Sequence, residues 1–483
     1  MDNWLKKQAL LSGDKLAVTD GTNNLTFAEL NQRATQIAGQ LNSLGLLQNE
    51  RIALLTNNTL AGYLTAMAIL TAGHTIVWLN RRLSTAELNY QLTDSQVDFC
   101  LFEPGLETTG LLVKTVSLTD LFAAPVTQNT LQAEFKETEP ASIMYTSGTT
   151  GRPKGVVQTF GNHLNSALAS ALNMGVSPAD EWLCTVPIFH ISGFSIMMRG
   201  LIYGMTVRLV EHFDAREIHK ILVEEPITMI SVVPYMLKKL LRLKDDTKAA
   251  YNQRFQGMLL GGGPIDRSTL ELCEQLKIPV VQSYGMTETC SQIIALSFAD
   301  AANHIGSSGK PLFLTQLRIA SKTSEIQVKT PALTPGYLGQ PAKYTAKITP
   351  DGWFKTGDVG HLDEDGFLYV DGRSDDMIIS GGENIFPDEI ESVYADCDQL
   401  EEMAVIGIDD ELWEQKPIAF IVSKSNELSA QALLDYGRAR LAHYKVPRTF
   451  YVLDHLPYNA SGKLQRYKLH ELLASKTPVQ QLK

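Results

Sequence analysis

Cysteine is scarce and unpatterned in this sequence: Cys100, Cys184, Cys273, Cys290 and Cys397 make an odd count, and no C-x-x-C pair occurs. Neither a disulfide framework nor a thiolate zinc site is supported, so the expectation is reduced thiols in a cytoplasmic protein. Basic charge is in deficit. Lys plus Arg number 42 against 53 Asp plus Glu, a formal charge of −11, which argues against nucleic acid or an anionic membrane as partner. Long apolar runs are missing too. Ile52 to Asn80 carries no Asp, Glu, Lys or Arg but is interrupted by Asn57, Asn58, Gly62, Gly73 and His74. It reads as strand, buried helix and strand rather than a membrane span. The start Met1-Asp2-Asn3-Trp4-Leu5-Lys6-Lys7 lacks the basic and apolar regions of a secretory leader.

What is present is a 483-residue chain, 44% hydrophobic, long enough for about three core units at a prior of ~150 residues each. Thr26 and Glu29 have capping-box spacing ahead of Leu30, Ala34, Ile37, Ala38 and Leu41 at helical period. Strand–helix–strand texture continues through Arg51–Leu55, Thr59–Ala72 and Thr75–Leu79. It returns at Met229–Val233, Pro234–Leu243, Gly257–Leu260, Ile265–Leu276 and Pro279–Gln282. Such alternation predicts parallel sheet covered by helices. Ala124–Pro140 reads as a polar surface connection. From about Pro311 short strands and turns predict a small β-rich unit over roughly residues 311–374: Gln316–Ala320, Glu325–Lys329, Trp353–Lys355 and Gly366–Tyr369. Beyond it, Asp388–Asp396 and Ala430–Ala442 read as helices, and Glu402–Ile408 and Pro417–Val422 as strands. The expected organisation is an α/β N-terminal domain, 1–374, and a small α+β C-terminal domain, 375–483, ending in a free tail from Ser475.

Chemistry concentrates in a few segments. Tyr145-Thr146-Ser147-Gly148-Thr149-Thr150-Gly151-Arg152-Pro153-Lys154-Gly155 follows a strand-like start. Its hydroxyls, open N–H groups and lysine suit phosphate oxygens. It is not a Walker A loop, because Pro153 and Gly155 flank the lysine. Leu259-Leu260-Gly261-Gly262-Gly263-Pro264 runs a strand into three glycines. They could let a flat ligand lie on the backbone, or simply make a tight turn. In Ser283-Tyr284-Gly285-Met286-Thr287-Glu288-Thr289, Tyr284 can stack on a base, Thr287 can reach a phosphate and Glu288 can hold Mg2+ between phosphates. A lone loop acid is more often solvated surface. Trp353-Phe354-Lys355-Thr356-Gly357-Asp358 places a carboxylate in an expected turn, facing ribose hydroxyls. Asp371 to Pro387 falls where the texture changes, and Pro457 to Lys463 puts a lysine on a glycine turn.

Jointly, and in this order, these segments resemble the adenylate-forming superfamily of acyl-CoA synthetases, adenylation domains and luciferases. Pro187-Ile188-Phe189-His190-Ile191-Ser192-Gly193-Phe194, Leu259–Pro264, Ser283–Gln292 and Ile378–Phe386 are most similar to its o-succinylbenzoate–CoA ligase family, of menaquinone biosynthesis. Aryl-CoA ligases of the 4-chlorobenzoate type share several of these strings and remain an alternative, as does a nucleotide-binding protein without turnover. The resemblance implies ATP, Mg2+ and coenzyme A, and an aromatic dicarboxylate as the acid. It implies that Thr146, Ser147, Gly148, Thr149, Thr150, Gly151 and Lys154 hold the β/γ-phosphates. Glu288 would hold Mg2+ and Thr287 the α-phosphate. Gly261, Gly262, Gly263 and Tyr284 would hold adenine, and Asp358 and Arg373 ribose. Lys463 would bridge carboxylate and α-phosphate. The resemblance further implies rotation of the C-terminal domain about Asp375, after which Gly381 and Gly382 would line a pantetheine tunnel.

Trp413 would stack near CoA, although a buried packing tryptophan explains it equally. Relatives often have glycine after that tryptophan, where Glu414 stands here. The link between Ile319 and Glu325 is also shorter than in many relatives. For the acid, His190 resembles the gate at the activated carboxylate, with a buried, backbone-satisfied histidine as the alternative. Ser192 and Ser291 would line the pocket. Arg199 could attract the second carboxylate or be a surface arginine.

Overall fold

The computed structural model describes residues 1–45, 50–127, 131–146, 153–263, 265–380, 383–411, 413–424, 428–458, 464–475 and 480–482. Strands of two to seven residues, most of them apolar and separated by capped helices, build two large sheets. The first contains nine strands, in the order 310–311, 291–295, 280–286, 257–260, 229–232, 181–184, 206–209, 16–19 and 24–26. Its six strands from Val280–Met286 to Leu16–Thr19 run parallel, and antiparallel strands close both edges. The second has seven strands, in the order 336–337, 154–159, 140–146, 75–79, 51–55, 99–102 and 114–117. It is parallel except at Lys154–Thr159 and Gly336–Tyr337. Helices sandwiched between the sheets share one core in which Trp78, Phe194 and Trp182 are buried. The Thr26 capping box forms as expected, with Thr26 Oγ1 accepting from Glu29 N and Glu29 Oε2 from Thr26 N.

The β-rich piece is a four-stranded antiparallel sheet: Gln316–Ile319, Glu325–Lys329, Phe354–Leu362 and Leu368–Arg373. The short link 320–324 joins its first two strands. From Ile378 to Gln481 a separate sheet forms around Glu414–Ser423, which pairs with Leu400–Asp410 and Phe450–Val452 and is covered by helices Pro387–Tyr394 and Ala430–Arg438.

Several expectations need correction. Asp358 is not in a turn: Phe354–Leu362 runs straight through it, because Gly357 takes φ +81° and a register shift at Val359/Gly360 absorbs the irregularity. Ala124–Pro140 is not merely surface, since Phe135 is buried, stacked on Phe160 at 4.1 Å with the Trp4 edge against it. The tail is not free where it is described: Gln480 and Gln481 pair with Val452 and Tyr451. The helix from Ala430 ends at Arg438 rather than Ala442. No helix among the described residues is long and apolar enough to cross a membrane.

Candidate active site

Parallel strands of an open α/β sheet present ligands at their carboxyl ends, and Thr146, Gly261–Gly263 and Tyr284 lie at or just past such ends. Thr146 ends Pro140–Thr146 and is the cross-strand partner of Lys154, so this pair closes the hydroxyl-rich loop. Thr146 Oγ1 is buried without a hydrogen-bond partner. Ser147, Gly148, Thr149, Thr150 and Gly151 lie outside the described residues, as do Gly381, Gly382 and Lys463.

Lys154 Nζ donates to Glu288 Oε1 at 2.8 Å and to the Tyr337 hydroxyl at 2.7 Å; that hydroxyl donates to the same Oε1 at 3.0 Å. Glu288 is only 7% exposed, so it is not a solvated loop acid. Burial works to raise its pKa, but the Lys154 ammonium outweighs burial and holds the carboxyl below its ordinary value. A buried, ionised carboxylate beside a lysine suits Mg2+, which takes one or two protein carboxylates and completes its shell with phosphate oxygens and water. Thr287 precedes it in a single 3-10 turn.

Adjacent to this pair, Asp358 is buried and gathers two partners. Tyr284 donates its hydroxyl to Oδ2 at 2.6 Å, and Arg373 Nε reaches Oδ1 at 2.7 Å. Asp358 and Arg373 face each other in register, while Tyr284 comes from the nine-stranded sheet. The trio therefore joins two sheets, and each carboxylate oxygen keeps lone-pair capacity for a hydroxyl. Gly261, Gly262 and Gly263 follow Gly257–Leu260 directly. A Cβ on Gly261 would sit 3.1 Å from Ser283 Oγ, so glycine keeps this strand end flat beside Tyr284.

The helix Ile191–Tyr203 carries the acid-binding candidates. His190 is its N-cap residue, and its Nε2 is buried without a partner. Burial, with Arg82 nearby, lowers its pKa to about 4, so the ring is neutral. That nitrogen is not satisfied by backbone. Ser192 and Arg199 stand seven residues apart, two turns along one face. Arg199 is 1% exposed, not a surface arginine. Its Nη2 donates to Gln292 Oε1 at 2.8 Å, its Nε has no partner, and the Trp182 ring lies 5.4 Å away. Ser291 Oγ donates to that same Gln292 oxygen at 2.8 Å. No carboxylate among the described residues pairs with Arg199.

The CoA and hinge candidates lie elsewhere. Trp413 is 54% exposed, so it does not pack in the core. Glu414, beginning the strand after it, takes φ +66°, a left-handed conformation glycine adopts without cost. Asp375 falls in the turn between Leu368–Arg373 and Ile378–Ser380. Tyr337 lies in no motif, and Gln292 ends the Ser283–Gln292 string without a role expected of it. Only the fold brings them to Glu288 and Arg199.

Comparison with known proteins decides the family. The model of the AMP-binding enzyme family matches residues 5–338, and that of the AMP-binding enzyme C-terminal domain matches 389–463. The chain belongs to the AMP-binding enzyme family. A 2-succinylbenzoate–CoA ligase of Listeria monocytogenes serotype 4b is 45% identical over 98% of this chain and 99% of its own length. The structure of o-succinylbenzoate CoA synthetase from Bacillus subtilis with its acyl-adenylate intermediate gives a TM-score of 0.93 at 40% identity, covering 97% of this chain and 98% of that one. The same protein with ATP and a magnesium ion gives 0.92 at 40% identity, over 97% of this chain and 99% of that one. A double mutant of it bound to a product analogue, OSB-NCoA, gives 0.77 at 39% identity, although both chains are fully covered. The adenylate-forming fold, with two mixed sheets and a separate C-terminal sheet, is thereby shown.

Proposed function

We propose that this protein is an acid–thiol ligase that activates o-succinylbenzoate with ATP and transfers it to coenzyme A, in menaquinone biosynthesis. The observation that carries the choice of acid is the buried Arg199 cation, with no carboxylate partner among the described residues and an unspent Nε donor. A second, non-reacting carboxylate on the substrate supplies what that cation lacks.

The reaction divides into two displacements. A carboxylate oxygen attacks the α-phosphorus of ATP, forming the acyl-adenylate and releasing pyrophosphate. The thiolate of CoA then attacks the acyl carbon and releases AMP. In-line transfer of this kind needs alignment and charge neutralisation more than covalent help. Thr146 and the loop 147–151, with Lys154, hold the phosphate end. Glu288 holds Mg2+, which supplies charge neutralisation between the phosphates. Thr287 faces the α-phosphate, Gly261–Gly263 and Tyr284 flank adenine, and Asp358 with Arg373 take the ribose hydroxyls. Neutral His190 stands at the activated carboxylate without presenting a competing cation, Ser192 and Ser291 line the pocket, and Arg199 anchors the aromatic carboxylate. Lys463 bridges the carboxylate and α-phosphate as charge develops. CoA reaches the site past Gly381, Gly382 and Trp413 once residues 375–483 turn about Asp375 as a domain against 1–374. The protein acts in the cytoplasm.

The test incubates the protein with ATP, Mg2+, CoA and o-succinylbenzoate. AMP, pyrophosphate and the thioester are expected in equal amounts. AMP with 4-substituted benzoates alone would move the protein to the aryl-CoA ligases, and failure to form AMP with any aryl or acyl acid would overturn adenylation altogether.

A further inference from the structure

One buried polar chain outside the nucleotide and acid contacts begins and ends on the turn that carries Thr287 and Glu288. Gln158 Nε2 donates to the Thr287 carbonyl at 3.2 Å. Ser142 Oγ bonds Gln158 Oε1 at 2.6 Å and His163 Nε2 at 3.2 Å. On the other side of the ring, His163 Nδ1 lies 3.6 Å from Cys290 Sγ. His163 is 2% exposed, and Ser142, Gln158 and Cys290 are fully buried.

Proton directions follow from the donor inventory. A backbone carbonyl only accepts, so the Gln158 amide nitrogen faces Thr287 and its oxygen faces Ser142. The single Ser142 proton goes to that oxygen, so Ser142 accepts from His163 Nε2–H. His163 Nδ1 is then unprotonated and accepts the Cys290 S–H. Burial, together with Arg199 nearby, lowers the His163 pKa to about 3, which keeps the ring in this neutral form. All donors point one way, from the Cys290 thiol to the Thr287 carbonyl, and the backbone 287–290 closes the circuit.

The clamped turn is conformationally expensive. Cys290 and Ser291 take φ +55° and +102°, regions that side chains other than glycine occupy only when their surroundings enforce it. Ser166 Oγ holds the Cys290 carbonyl at 2.7 Å, and Thr334 N holds the Glu288 carbonyl at 2.7 Å. His163 also presents an edge to Phe194 on the helix of His190 and Arg199, ring centroids 5.0 Å apart.

The geometry points to Cys290, His163, Ser142 and Gln158 as a buried hydrogen-bond clamp that fixes Thr287 and Glu288 in the conformation that binds Mg2+-ATP. His163 and Cys290 are positioning residues, because both are buried behind the turn they hold. The inference rests on the adenylation proposed above.

The test uses the full chain and measures the half-reactions separately: AMP-forming adenylation as a function of Mg2+-ATP, and thioester formation from supplied acyl-adenylate. Cys290→Ala removes the thiol donor, and Cys290→Ser keeps one. Cys290→Ala is expected to raise the KM for Mg2+-ATP about 10-fold, the usual scale for partners that orient a metal ligand. Cys290→Ser should stay within about 3-fold of the parent protein, and thioester formation should be unchanged in both. Ser142→Ala breaks the chain at a second point and should reproduce the Cys290→Ala effect should that variant fold poorly. Parent-like adenylation in both alanine variants would overturn the clamp, as would equal loss in Cys290→Ser and Cys290→Ala or parallel loss of both half-reactions. A parent protein that makes no AMP would instead overturn the function on which the clamp rests.

Discussion

Arg199 brings a full charge into the core with one hydrogen bond to Gln292 and an aromatic face for company. Such a cation is costly to bury and is retained where it does something other than stabilise. Arg199→Met is therefore expected to raise the KM for o-succinylbenzoate about 10- to 100-fold, the loss of a charge-assisted bond of about 1.5–3 kcal/mol, with the KM for ATP unchanged. Its melting temperature should hold or rise. Steady-state kinetics and a thermal melt check both halves, and an unchanged acid KM would remove Arg199 from the pocket. At this scale the sequence made Lys154, Glu288, Tyr284, Asp358 and Arg373 legible, because each sits in a motif whose composition suggests a ligand. It could not pair them. That Lys154 meets Glu288, or that Asp358 takes both Tyr284 and Arg373, depends on contacts across at least 74 residues for the glutamate and tyrosine pairs. Tyr337 carries no signal in the sequence for the same reason: only the fold, pairing Gly336-Tyr337 with Val156 and Val157, sets it beside Glu288.

Elements were legible where local chemistry and burial agree. The Thr26 capping box, the strand Arg51–Leu55 and the helix after Thr59 stand within a residue of their expected bounds, since cap, period and apolar face all point one way. Phe354–Leu362 was cut short because Gly357 looks like a turn residue, and only pairing with Leu368–Arg373 carries the strand past it. The helix Arg267–Gln275 shows how an element supports the site. Asp266 caps it, accepting from Thr269 N at 2.8 Å and from Ser268 Oγ at 2.8 Å, and pairs with Lys238 of the preceding helix. Burial works to raise the Asp266 pKa, but the Lys238 bond and the cap outweigh it and hold it at about 2. Because the folded value lies below the unfolded one, this stabilisation is present above pH ~3.8 and lost as pH falls towards 2. Asp266→Ala should cost about 1–3 kcal/mol at pH 7 through cap and ion pair together, read as a lower urea midpoint. Since this helix follows Gly261–Gly263, the KM for ATP should rise with it. A parent-like midpoint would show that the cap is not what holds the helix.

At the scale of the whole molecule, acid sensitivity and domain motion can both be argued from how parts are held. His74 and His163 are buried and His190 is partly so, with pKa values lowered by burial to about 4, 3 and 4. The unfolded chain protonates them near pH 6.5, so between pH ~6.5 and ~4 it binds more protons than the native state, and stability falls as pH falls by on the order of 1.4 kcal/mol per unit for each histidine. Urea midpoints at pH 7 and pH 5 should differ accordingly, and a flat profile would contradict the neutral rings assigned to them. The hinge proposed at Asp375 stands between two held neighbours. On its amino side Ser374 is fixed to the β-rich sheet, its N and Oγ both donating to the Gly357 carbonyl, at 2.9 and 3.1 Å. On its carboxyl side Asp376 lies 3.6 Å from Arg466, which also binds Asp388 and Glu391 of the C-terminal unit. Asp375 thus lies between two anchored neighbours, the place proposed for rotation of one body against the other. Asp375 holds a negative φ here, the sign proline enforces. Asp375→Pro should therefore preserve adenylation within several-fold while lowering thioester formation from supplied acyl-adenylate by about 10-fold or more, a loss of about 1.4 kcal/mol in the barrier. Single-turnover assays of the two steps distinguish this from general damage: a hinge separates them, whereas a residue that merely supports the fold would depress both alike.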